Sequence, residues 1–268
     1  RIQEETVLRS LSIAATAMLA QQLNVEVISN NIANMNTTSF KRQRAEFQDL
    51  LYQNLRRVGA ASSDAGTVSP SGVQVGVGVK TASIYRISEQ GNLTGTENPL
   101  DVAINGNGYF KITLPSGDDA FTRAGTFQLS PTGQLVSADG YVVAPGIPVP
   151  PTAIDVTINQ SGEVLVKVDG QAALQNVGQL ELNTFPNSSG LEAIGDNLFK
   201  ETPSSGAATA GIPASAGFGA IMQGFLETSN VNPVSEITTL INAQRAYEMN
   251  SKVITTSDEM MRSITALR

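Results

Sequence analysis

Both ends of this chain carry heptad spacing, and that pattern limits the fold more than any other feature. From Val234 to Arg268 there is no glycine or proline, and Asn232-Pro233 stands immediately before. An Asn side chain can accept from the free N–H groups of a first turn, and Pro lacks the N–H that would go unpaired there. Leu240, Tyr247, Ile254 and Met261 then recur every seven residues, with Ala246, Val253, Met260 and Leu267 beside them. Glu248 with Lys252 and Asp258 with Arg262 are set for i,i+4 pairing. At the other end Leu11, Met18, Val25 and Ile32 recur at seven, with Ala14, Gln21, Ile28 and Met35 three residues on. Such spacing predicts a long amphipathic helix at each terminus. The polar cluster Asn34 to Ser39 ends the first one. Two such helices at opposite ends suggest an antiparallel coiled-coil-like pair. Two readings stay open: an ordinary helical hairpin packed on the middle of the chain, or a seam that other copies complete. The candidate self-assembly seam is Leu11, Met18, Val25, Ile28, Ile32, Leu240, Tyr247, Ile254 and Met261. Only Glu26 is ionised between Ser10 and Asn36, which suits contact between subunits.

The middle reads differently. Residues 40–57 interleave Lys41, Arg42, Arg44, Arg56 and Arg57 with Phe40, Phe47, Leu50, Leu51 and Leu55, which predicts a short amphipathic helix with an Arg42–Glu46 pair. Gly59 to Gly66 reads as a small-residue linker, and Val73, Val75, Val77 and Val79 alternate with period two, an extended arm. From Gln90 to Phe185 short apolar runs are divided by turn signals such as Asn105-Gly106-Asn107-Gly108, Ser116-Gly117, Asp139-Gly140 and Ser161-Gly162. These supply the positive φ that tight hairpins need, so this region is expected to be all β. The proline-rich run Pro145 to Pro151 is expected to cross the surface, and Ser204 to Gly219 to be a loop. The predicted fold is α+β, with the helical termini at 1–39 and 223–268, a connecting segment at 40–90 and a β domain at 91–222.

Composition removes whole classes of chemistry. The 268 residues include no Cys and no His. Disulfides, thiolate nucleophiles, zinc sites built on Cys or His, and His acid–base steps are therefore impossible. A net charge of −7 argues against nucleic acid as a partner. Gly76 and Gly78 lack the third glycine and the helix of a nucleotide loop. A carboxylate pair for glycoside hydrolysis would meet only in the fold, and nothing in the sequence marks a cleft. No catalytic, metal or cofactor residue is assigned. Ala15-Thr16-Ala17 imitates a signal cleavage site, but Glu4 and Glu5 precede it and the heptad runs straight through it. The uncharged run Ser10 to Val25, interrupted by Gln21, Gln22 and Asn24, is short for a membrane span.

Several stretches resemble the bacterial flagellar rod and hook (axial) proteins. They are Asn30-Asn31-Ile32-Ala33-Asn34 with Thr37-Thr38-Ser39-Phe40-Lys41, Asn98-Pro99-Leu100-Asp101 through Asn105-Gly106-Asn107-Gly108-Tyr109-Phe110, Thr122-Arg123-Ala124-Gly125-Thr126-Phe127, and Ala243-Gln244-Arg245-Ala246-Tyr247-Glu248. Where that family usually has Gly before the aromatic of its N-terminal signature, this chain has Ser39. The resemblance implies a non-enzymatic subunit of a helical homo-polymer, by length one of the distal rod, with a proximal rod or hook-type subunit as the alternative. It also implies a basal-body location, export through the flagellar type III apparatus without a cleaved signal peptide, and neighbours among proximal rod proteins, the hook protein and surrounding bushing rings. No nucleic acid or membrane insertion is implied.

Overall fold

The computed structural model describes residues 2–56, 71–170 and 173–266; the Gly59–Gly66 linker and Leu267 lie outside them. The fold is α+β and divides into two compact units. One comprises Arg1–Ala33, Gln43–Tyr85 and Asn232–Arg268; the other comprises Asn34–Arg42 and Arg86–Val231.

The first unit holds both long helices, α1 (Ile2–Ala33) and α2 (Pro233–Ala266). Asn232 Oδ1 accepts from Val234 N (3.1 Å) and Ser235 N (3.3 Å), with Glu236 in the first turn, so α2 starts where its cap and proline specify. α1 stops at the Asn-rich cluster, where Thr37 N donates to Asn34 O (3.2 Å). The expectation of a helix fails over residues 43–56, and Arg57 lies outside the described residues. Gln43–Asp49 and Tyr52–Arg56 are strands, paired with Val79–Arg86 and Val73–Gly76. The burial of Gln43–Asp49 alternates, with Ala45 and Phe47 inward, so the period is two. Glu46 accepts from Tyr85 across the ladder (3.0 Å), a partner no local pattern identifies. Val7–Ala33 is long and apolar enough by composition to qualify as a span (mean hydropathy 1.2). Here Thr16 Oγ1 accepts from Val79 N (3.4 Å), and Asn31 also bonds within the unit.

The second unit is the β region. Its largest sheet runs Glu192–Gly195, Leu198–Lys200, Asp119–Thr122, Tyr109–Thr113, Val142–Val143, Leu135–Val136, Gln128–Leu129, with Leu182–Thr184 also joined to Tyr109–Thr113. A three-stranded sheet (Ala153–Ile158, Glu163–Val168, Gln175–Gln179) closes the core from another side. Phe110 and Phe127 meet edge to face at 5.0 Å, surrounded by fully buried Ile104, Leu135, Val164 and Leu180. The divider glycines take positive φ as expected, for example Gly117 at 88° and Gly140 at 85°. Two expectations are corrected. The proline-rich run is no mere surface crossing, because Ile147 and Val149 enter the core between exposed prolines. The expected loop 204–219 contributes the strand Thr209–Gly211, paired with Leu182–Thr184.

Candidate assembly interface

α1 and α2 run antiparallel, tied near both ends. Ser10 Oγ shares a hydrogen bond with Ser257 Oγ (3.1 Å), and Asn31 Nδ2 donates to Glu236 Oε2 (3.2 Å). Steps of seven from Ser10 along α1 (Ala17, Asn24, Asn31) match steps of seven back from Ser257 along α2 (Asn250, Ala243, Glu236). The facing rows are therefore small or polar. Ala243, Glu236, Asn31 and Ser257 are all buried. Asn31 also closes a two-way bond with the backbone of Gln43, accepting from its N–H and donating to its carbonyl, each at 2.8 Å. Polar groups at such positions fix register at a cost in stability.

The predicted seam sits beside this row, not within it. Leu11, Met18, Val25, Ile32, Leu240, Ile254 and Met261 are half-buried, Ile28 is buried, and Tyr247 remains 41% exposed. Of the companion row on α2, Val253 and Met260 are each 45% exposed, while Glu236, Ala243 and Ser257 are buried and Asn250 is half-buried. At about 100° per residue, Val234 and Ile241 fall on the side of α2 opposite the inner row of Glu236, Ala243, Asn250 and Ser257, Ile237 and Met249 lie roughly at right angles to it, and Val253 and Met260 flank it at about 60°. Val234 is 74% exposed and Met249 61%; on α1, Leu19 is 67% exposed. Gln22, Val25 and Glu26 of α1 and Gln244, Tyr247 and Glu248 of α2 line a groove of about 370 Å³. Asp258 and Arg262 pair at 2.9 Å as their spacing predicts.

The second unit has its own ordered centre, which sequence reasoning did not single out. Glu227 is 2% exposed and takes Lys41 Nζ at 2.6 Å, Arg123 Nε at 2.5 Å and Gly91 N at 2.8 Å. Arg123 also donates to the carbonyls of Gly106 (2.7 Å), Gly108 (3.1 Å) and Ile104 (3.3 Å), clamping the Asn-Gly-Asn-Gly turn. Burial pushes the Lys41 ammonium below its ordinary range, and Arg123's charge adds to that, against the opposing pull of Glu227. Ser39 adopts φ 57°, a left-handed position that glycine fills most easily. Its hydroxyl donates to Arg123 O (2.9 Å) and its N–H to Glu227 O (2.8 Å). Lys41 and Arg123 stand inside the signature stretches, a signal that was available. Glu227 stands outside them, and only the fold brings it in.

Three family descriptions match the chain: Flagella basal body rod protein over residues 11–41, Flagellar hook protein FlgE/F/G D1 domain over 103–166, and Flagellar basal body rod FlgEFG protein C-terminal over 222–267. The Caulobacter vibrioides flagellar basal-body rod protein FlgG is 60% identical over 97% of this chain and 100% of its own length. Its Agrobacterium fabrum counterpart is 51% identical, covering 94% of this chain and 97% of its own. The Bacillus subtilis flagellar basal-body rod protein FlgG is 41% identical over 97% and 99%. With that identity sustained from α1 through the β unit to α2, the chain belongs to the family of flagellar basal-body rod proteins of the FlgG type.

Proposed function

We propose that the chain is a structural, non-catalytic subunit of the flagellar distal rod and that it polymerises through α1 and α2. One observation carries this reading. The central row of the helix pair is small and polar, with Val7, Val27 and Ile28 buried beside it, while Val234, Met249 and Leu19 stay exposed. A monomer has no use for Val234, Met249 and Leu19 in water, and a second copy covering them recovers roughly 1.5–3 kcal/mol for each large side chain buried. Head-to-tail contacts of this kind generate an open helical polymer, the geometry of a shaft transmitting torque from motor to hook. Helices whose exposed apolar side chains are covered only in the polymer also suit a chain exported unfolded. Proximal rod proteins, the hook protein, bushing rings and the type III export apparatus are the partners this role brings with it.

The test is Tyr247→Asp. Tyr247 is 41% exposed beside Val25, Glu26 and Glu248. A carboxylate there stays solvated in the monomer. Covered by another copy it costs several kcal/mol, more than ten-fold per contact. Sedimentation of the assembled polymer should fall at least that far while the near-UV signal of the β unit is unchanged. Polymer formed at the wild-type level overturns the reading.

A further inference from the structure

The buried centre of the β unit is short of negative charge. Lys41 and Arg123 share one carboxylate, Glu227, and all three are at least nine-tenths buried. Half-buried Arg86 places a third cation near Tyr109, outside the lining of the adjoining cavity. Its guanidinium lies over the Phe199 ring at 5.5 Å, and among the described residues no carboxylate pairs with it. This surplus sits inside a chain whose overall charge is −7. A cluster of uncompensated charge away from water is costly and attracts a counter-charge.

A cavity of about 390 Å³ adjoins it, with Arg123 on its floor. Ser88, Asn107, Tyr109, Thr184 and Ser188 line it with hydroxyl- and amide-bearing side chains, Ser188 hydrogen-bonded to Tyr109, and among the described residues no Asp or Glu lines it. Gly108 and Phe185 in its wall are buried, while Ser88 and Asn107 are exposed. Arg123 has five N–H donors, and four are engaged by Glu227, Gly108, Ile104 and Gly106, which leaves one. We propose that this cavity binds a small oxyanion, a phosphate or carboxylate group, held by the Ser88, Thr184 and Ser188 hydroxyls and the Asn107 amide above Arg123. Hydroxyl and amide donors suit oxyanion acceptors, and the cationic floor rejects cations. The oxyanion is either a free ion or an Asp or Glu side chain of a neighbouring copy. The site belongs to the β unit and does not depend on how α1 and α2 assemble.

The intact chain is titrated calorimetrically with sodium phosphate, and separately with sodium acetate, at constant ionic strength against chloride. Both should bind saturably in the millimolar range. Ser88→Ala with Ser188→Ala should weaken binding roughly five-fold or more. Ser130→Ala, in a remote turn, should leave it unchanged. Should the double variant fold poorly, Thr184→Val serves the same purpose. No saturable heat, or equal heat in the lining variants, overturns the proposal. Phosphate that stays bound to the sedimented polymer identifies a free ion as the occupant. Phosphate displaced on assembly, and slowing it, identifies a neighbour's carboxylate.

Discussion

Glu227→Gln removes one negative charge and almost no volume. The carboxylate accepts three bonds, from Lys41 (2.6 Å), Arg123 (2.5 Å) and Gly91 (2.8 Å). Glutamine keeps one oxygen for these donors and turns an NH₂ toward a cation. Stranding a buried charge by removing its partner costs about 3–5 kcal/mol. The cations are not wholly abandoned, since Lys41 still reaches Glu89 O (2.8 Å) and Arg123 keeps three carbonyls. The low end of the range applies, about 3 kcal/mol. For a unit of this size each kcal/mol moves the melting midpoint by roughly 2–4 °C, so the β-unit transition should fall by about 6–12 °C. Differential scanning calorimetry of the intact chain measures it. A loss below about 1 kcal/mol would mean that the carbonyls alone satisfy both cations and that the carboxylate is dispensable.

Lys41 titrates below its ordinary value of 10.5 in the folded chain because burial disfavours its charge. Between the lowered folded value and 10.5 the unfolded chain binds more protons, so this residue's contribution to stability rises with pH across that window. Comparing alkaline urea melts of the wild type with those of Lys41→Met should show the rise only in the wild type; parallel curves would contradict it. Ser39→Gly should be nearly neutral, because relief of the left-handed φ (about 1–2 kcal/mol) offsets the lost hydroxyl bond and the added chain entropy. Ser39→Val should cost at least about 2 kcal/mol in the same urea melts, and equal stability of the two variants would refute the backbone argument. The chain has no cysteine, so Ser10→Cys with Ser257→Cys should cross-link on mild oxidation. Ser10→Cys with Asn250→Cys, one heptad away, should not; cross-linking of the second pair would show that the helix register slips.

Heptad spacing, an Asn-Pro start and an Asn-rich stop are local signals, and they sufficed to place both helices. The glycine dipeptides likewise placed the hairpins, because a positive φ is a property of one residue and its neighbours. The family signatures pointed to a rod subunit before any coordinate was needed. What escaped that reading was everything decided by distant partners. Residues 43–49 became a strand because Val79–Arg86 offered a ladder, overriding an amphipathic pattern that fits a helix as well. Which face of α2 turns inward was settled by Asn31, Ser10 and the backbone of Gln43, not by the largest apolar stripe. Glu227 gained its role by meeting residues from three separate parts of the chain, Lys41, Gly91 and Arg123. Periodicity and turn chemistry are written over a few consecutive residues. Desolvation and charge pairing depend on which atoms share a volume, and only the folded chain brings those atoms together.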